Sequence, residues 1–445
     1  MSAVVTDKFR FRNAEQFKAD ALTSSYYLAI GRSEAWPDDN NAPLPSTNTY
    51  EQREFWQNLQ AMKLVTDLDM RHCVPRYDWV TSTHSYDEFN DRDPDLYIKR
   101  FYAMNEDFNL YLCIKAGAGL STVKPTGQSI TEFGTADGYI WKYLLTVTAI
   151  DSTRWLTSSF IPIRRFTQDE LDNGLPVGST YEPQRQVALN AIDGAIHHSI
   201  ITNGGSGYTT ATITIEGDGT GATADAVIVG GVITDITSTA VGSGYKFARI
   251  VITGDGTNGT AFPVIAPAGG HGFDAAKELG GYLITANIQL VQDEGQGDFT
   301  IGNDYRQLGI VRDPFDFGTT NVATDLTLNG LKELTLTSDS GFLHDEVIVG
   351  TTSGATAVID YYISSTANDP DDGEIRYHQN DTTGYIDFQV AENITGQTSS
   401  STALIQTLVD PEVEAVSGEI IFIENRSPIN RASDQTESIK LVIEF

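Results

Sequence analysis

One internal repeat constrains this chain more than any other feature. The run GSGYTTATITIEGDGTGATADAVIV, starting at Gly205, aligns with GSGYKFARIVITGDGTNGTAFPVIA, starting at Gly242. Tyr208 falls on Tyr245, and Gly217-Asp218-Gly219 falls on Gly254-Asp255-Gly256. Each copy reads as a Gly-Ser-Gly-Tyr turn, an alternating strand, a Gly-Asp-Gly turn and a second strand. A lone hairpin is marginal in water, so the two copies are expected to pair their apolar faces into one small β module. From about 195 to 267 the composition is Gly, Thr, Ala, Val and Ile with almost no Lys or Arg, which sets this module apart as an insertion.

A second Gly/Thr/Ser-rich region runs from about 321 to 408. Within it, LHDEVIVGTTSGATAVIDYY (343–362) and IDFQVAENITGQTSSSTALIQ (386–406) look like a related pair, each with a strand, a Thr-rich turn and another strand. The polar stretch SSTANDPDDGE (364–374) is the chief linker candidate. Elsewhere the runs SSYYLAIG (24–31), DLYIKRFYAM (95–104), NLYLCIK (109–115) and GYIWKYLLTVT (138–148) read as strands, being rich in aromatic and β-branched residues. One helix is expected over about 50–68, from the capping-box spacing of Asn48 and Glu51 and the helical recurrence of Phe55, Leu59 and Met62. The C-terminal alternation of Ile439, Leu441 and Ile443 reads as a strand that closes the host sheet.

The chain carries 60 acidic against 29 basic residues, a formal charge of −31, spread along its length. Such a surface repels phosphate backbones and disfavours nucleic-acid binding. Two cysteines, Cys73 and Cys113, provide neither a disulfide framework nor a zinc finger. No signal-peptide core is seen in the N-terminal sequence and no stretch reaches the length of a membrane span, so a soluble protein without a membrane partner is expected.

Segments at both ends and between them share a further likeness. GRSEAWPDDNNAPLP (31–45) and SGEIIFIENRSPINRASDQTESIKLVIEF (417–445) resemble the baseplate wedge subunit of T-even-type contractile-tailed bacteriophages, the gene 8 product family. VPRYDW (74–79), DGYIWKYL (137–144), GGHGFDAAKELGG (269–281) and DYRQLGIVRDP (304–314) look like further segments of that family, in order between the ends. The resemblance spans slightly over half of the chain and leaves out both Gly/Thr-rich regions.

It implies a multi-layer β-sandwich host domain with helical excursions, and together with the compositional breaks the expectation is a mainly β fold carrying two inserted Gly/Thr-rich β modules. The implied map is 1–194, 268–320 and 409–445 for the host, with insertions at 195–267 and 321–408. It also implies a virion protein of the tail baseplate, assembled in the host cytoplasm. Such a protein joins inner wedge subunits to peripheral ones carrying fibres or spikes. The implied partners are wedge proteins similar to the products of genes 6, 7 and 10, with a possible homodimer in isolation. Candidate interface or structural residues on the motifs are Arg32, Trp36, Arg76, Trp79, Arg306, Glu424, Asn425 and Arg426. Arg426 is suited to a bidentate pair with a carboxylate, within the chain or across a subunit contact.

No catalytic, cofactor or metal constellation is expected. None of the seven histidines has HExxH-like spacing, and adjacent His72 and Cys73 would point to opposite faces of a strand. Asn90 to Asp95 lacks the glycine and terminal Glu of a calcium loop, and the acidic run at 369–374 reads as a charged loop tip. GDGTGATA (217–224) has no following Gly-Lys-Ser/Thr and no helix to receive a phosphate. Two other functions stay open: a receptor- or glycan-binding module that uses Tyr208 and Tyr245 as stacking platforms, and an envelope-degrading enzyme with paired carboxylates.

Overall fold

The computed structural model describes residues 4–291, 298–337, 341–364, 373–432 and 436–445. The chain is mainly β, 42% strand against 13% helix, arranged in several sheets and one closed six-stranded barrel. It divides into two compact units: 1–15, 71–285 and 442–445 form the first, and 16–70 and 286–441 the second. The host region expected as one domain is thus shared between the two units. The chain passes between them inside the helix Asp7–Asp20, at Met70, and inside the strands Leu283–Leu290 and Glu437–Glu444.

In the first unit, the runs expected as strands at 109–115 and 138–148 form Asn109–Lys115 and Ile140–Thr146, paired antiparallel. Only the end of 95–104 is a strand, Tyr102–Met104; its start, Leu96–Ile98, is a 3₁₀ turn. One face of this sheet packs Leu110, Leu112 and Leu144 with Val74 and Ile161; the other packs Tyr111, Trp141 and Tyr143. Burying both faces accounts for the near-continuous apolar runs, which alternation alone would not produce.

The repeat module belongs to this unit. It holds six strands where the sequence suggested four, because His198–Ser206 and Val232–Ser243 each precede a Gly-Ser-Gly-Tyr turn. Ala211–Gly217 pairs antiparallel with Ala248–Gly254, with Thr214 opposite Val251, its own equivalent in the repeat. A local twofold axis therefore relates the copies, and they interlock across it. The Tyr208 ring lies where a Cβ on Gly256 would sit, 2.4 Å away, and the Tyr245 ring covers Gly219 at the same distance. Only glycine allows either ring to close down. Asp255 accepts from the Thr209 and Thr210 amides at 2.9 and 3.0 Å, and Asp218 accepts from those of Lys246 and Phe247, both at 2.9 Å. The module starts and ends side by side, with the Ala266 amide donating to the Ala195 carbonyl at 2.9 Å. Its root belongs to the unit's own core, where Val264 is buried and Ile200 and Phe262 pack against it.

In the second unit, Tyr26–Gly31 is the centre of a five-stranded sheet, between Leu59–Val65 and Asp304–Arg312. The expected helix at 50–68 is corrected: it spans only Thr49–Gln57, and Leu59–Val65 is a strand. Asn48 caps the helix, its side-chain oxygen accepting from the Glu51 amide at 2.9 Å, while the Glu51 carboxylate turns to the Ser46 amide. Beyond Asn58, pairing on both edges with Tyr26–Gly31 and Thr327–Asn329 overrides local helix preference.

The second Gly/Thr-rich region is the barrel, running from Lys332–Thr337 to Thr402–Val409. It too is a folded duplication, with an offset that sets Phe342, Glu346, Gly350 and Ser353 over Phe388, Glu392, Gly396 and Ser399. Val347–Gly350 pairs with Asn393–Gly396, and Val349 faces its equivalent Thr395. The carboxylates are exchanged here as well. Glu346 accepts from the Thr398 and Ser399 amides at 3.1 and 2.9 Å, and Glu392 from those of Thr352 and Ser353 at 2.9 and 2.8 Å. The linker candidate and the acidic run at 369–374 lie largely outside the described residues.

Candidate functional site

Three of the motif segments, far apart in sequence, meet in the second unit. Gly31 ends its strand against the Asn58 carbonyl, 2.4 Å from where a Cβ would stand, and Arg32 takes a left-handed φ of 63° to turn the chain outward. The Arg32 guanidinium then stacks 3.8 Å over the Trp36 ring and reaches Glu54 at 3.1 Å. The Trp36 indole donates to the Arg426 carbonyl at 3.0 Å. From the strand Asp304–Arg312, Arg306 grips Asp39 with two parallel bonds of 3.0 and 2.9 Å and also donates to the Ser33 carbonyl. This fork holds the Asp39 carboxyl below the ordinary carboxylate range. Gln307 donates to the Asn425 side-chain oxygen at 2.8 Å, and Asn425 donates to the Pro43 carbonyl at 3.1 Å. The loop 31–45 is thus tied to the strands Asp304–Arg312 and Glu419–Asn430 at several points.

Arg32, Trp36, Arg306, Asn425 and Arg426 are brought together here, and Glu424 lies beside them on the strand. The bidentate role expected of Arg426 falls to Arg306 instead. Arg426 stands 3.8 Å from Glu424, and both side chains are more than a third exposed. Two residues apart on an edge strand, they share one open face, where water competes for each charge. Arg76 and Trp79 lie in the first unit and bind locally. Arg76 pairs with Asp78 at 2.9 and 3.0 Å and with the Thr157 carbonyl, and Trp79 donates to Ser121 at 3.0 Å.

The structure also brings together histidine–carboxylate pairs with no sequence signal, because their members stand on different elements. In the first unit, His197 meets Glu132 at 3.2 Å, His198 meets Glu88 at 3.1 Å, and buried His271 meets Glu278 at 2.5 Å. Burial pushes the His271 imidazole down despite Glu278. In the second unit, His378 pairs with Asp360 at 2.5 Å. Among the described residues, no group of three or more His, Cys, Asp or Glu is placed to hold a metal ion. His72 stacks on Phe11 and its Nδ1 sits 2.8 Å from the Gly281 carbonyl, a packed core position. Burial pushes the Cys73 thiol up to about 12 and raises Cys113 as well, so neither is an activated nucleophile. Within Asn90 to Asp95, the Asn90 side-chain oxygen accepts from the Arg92 amide, and the Asp93 carboxylate takes the Asp95 amide and Lys99.

Tyr208 and Tyr245 are only 4% and 5% exposed, closed over the Gly-Asp-Gly turns. Rings in that position are lids on a small core and offer no face for stacking on a sugar. No helix among the described residues is long and apolar enough to cross a membrane. Compared with known proteins, the chain matches no family model, and no curated protein matches it.

Proposed function

We propose that this chain is a structural subunit of a contractile phage tail, a baseplate wedge protein that joins inner wedge subunits to peripheral ones bearing fibres or spikes. The observation carrying this reading is the convergence of 31–45, 304–314 and 417–430 on one hydrogen-bonded cluster, centred on the Arg306–Asp39 fork and the Trp36–Arg426 bond. Those segments carry the resemblance, and their side chains are spent on tying loops to strands. A scaffold needs rigid, oriented surfaces of this kind. The acidic surface agrees with protein partners in preference to nucleic acid. The implied partners remain wedge proteins similar to the products of genes 6, 7 and 10. Imaging of the assembled tail, with this chain identified by a genetically fused density tag, tests the reading. Tag density at the baseplate is the expected result; density in the capsid or at a fibre tip would overturn it.

A further inference from the structure

The motif cluster encloses a cleft of about 240 Å³, lined by Arg32, Trp36, Pro43, Leu44, Tyr50 and Gln307 together with acidic side chains. Large apolar side chains stand open at it: Leu44 is 93% exposed and Tyr50 60%, and Tyr385 beside them is 55% exposed. These residues form one surface: the Tyr50 hydroxyl donates to Asp381 at 3.1 Å, the Tyr385 hydroxyl donates to the other Asp381 oxygen, and Gln57 donates to Tyr385 at 2.7 Å. Single exposed apolar residues are ordinary, but several grouped around a cleft mark a contact surface.

Charge and hydrogen bonding narrow the occupant. Glu51 and Glu54 line the cleft, and Asp381 accepts from the hydroxyls of Tyr385 and of Tyr50, which lines it too. Arg32 is already engaged by Glu54 and Trp36, and Arg53 is the one cation of the helix Thr49–Gln57. A carboxylate flanked by tyrosines suits a lysine or arginine, which gains an ion pair and ring faces together. Behind this surface the cleft wall is held in place, since the Gln307 side chain donates to Asn425, which itself donates to Pro43.

We propose that this cleft and rim dock a segment of another protein in which a lysine or arginine is flanked by large apolar residues. The apolar side chains cover Leu44 and Tyr50, and the cation meets Asp381. The inference stands whether or not the protein belongs to a baseplate, and the isolated full chain tests it. Fluorescein-labelled, C-amidated peptides Gly-Leu-Arg-Leu-Gly and Gly-Phe-Lys-Leu-Gly, with Gly-Leu-Glu-Leu-Gly as control, are titrated by anisotropy. The basic peptides should bind saturably, the acidic control about tenfold more weakly, and Leu44→Asp or Asp381→Asn should each weaken the basic peptides about tenfold while leaving the melting temperature unchanged. Tyr385→Ala serves as a second surface variant should either one melt early. No saturable binding, equal binding of the acidic control, or binding indifferent to all three variants would overturn the proposal. So would concentration-dependent dimerisation abolished by Leu44→Asp, which would give the surface to a second copy of this chain.

Discussion

The repeat module and the barrel solve one problem with different resources. Each folds two related copies about a local twofold axis, and in each the acid of one copy caps a turn of the other. In the repeat module the acids, Asp218 and Asp255, sit on exposed turns, and much of the apolar packing is only half-buried. In the barrel, Glu346 and Glu392 are themselves buried, and the closed core includes Leu334, Ile348, Ile359, Ile375, Ile394 and Ile405. Reciprocal capping fixes register in both, whereas stability must come from buried area, which the barrel has and the repeat module borrows from its root.

The largest expected contrast is autonomy. Excised as 330–411, the barrel should unfold cooperatively in urea, whereas excised 195–267 should show at most a broad, low transition by circular dichroism. Equal cooperativity would break the comparison. Within the full chain, replacing 202–260 by a short Gly/Ser linker should leave the rest folded. Replacing 195–267 should lower its melting temperature strongly, because that removes Val264 and the carboxylate partners His197 and His198.

Next in size are the buried acids. Glu392→Ala strips the partner from the Thr352, Ser353 and Gln389 amides, and should cost the excised barrel about 3 kcal/mol in denaturant unfolding. Glu346→Ala should cost the same, since the Ser399, Thr398 and Leu343 amides lose the equivalent group. Unequal costs would show that the twofold relation is only one of shape.

Acid should act on the same two groups. Burial pushes both carboxyls up, but amide and hydroxyl donors outweigh it and leave them below the ordinary value. The unfolded chain therefore binds these protons more readily than the folded one. Their contribution is complete above about pH 4.5 and is lost as pH falls through the lower folded values. The urea midpoint of the barrel should thus fall on acidification below that point, and this part of the fall should vanish in the double glutamine variant.

Tyr208→Ala and Tyr245→Ala should each lower the local opening free energy of the repeat module by about 2 kcal/mol, read by amide hydrogen exchange. The smallest effects belong to Asp218→Asn and Asp255→Asn. Both carboxyls lie below the ordinary range, held there mainly by donors from the facing turn, yet asparagine keeps an acceptor in place and water reaches the site. A slight rise in exchange at Lys246 and Thr209 is the expected sign.

Sequence legibility followed how local each cause was. Asn109–Lys115 and the Gly-Asp-Gly turns were readable because strand and turn preferences are written in adjacent residues. Leu59–Val65 was not, since its Leu and Met spacing also fits a helix and only two neighbouring strands decide the outcome. The exchanged glutamates were invisible because Glu346 serves a turn that lies outside its own copy. At the motif cluster the residues were legible but their roles were not. Arg306 and Arg426 are chemically alike, and only burial against Asp39 and Ser33 separates them.

The adjacency of Ala195 and Ala266 has a mechanical side. When the surrounding chain is pulled, tension can cross directly between these neighbours and onward through the paired strands His198–Ser206 and Thr257–Val264, which would have to unzip from the root before the interior felt any stretch. The rest of the repeat module hangs outside the line of force, like a bead clipped to a cable.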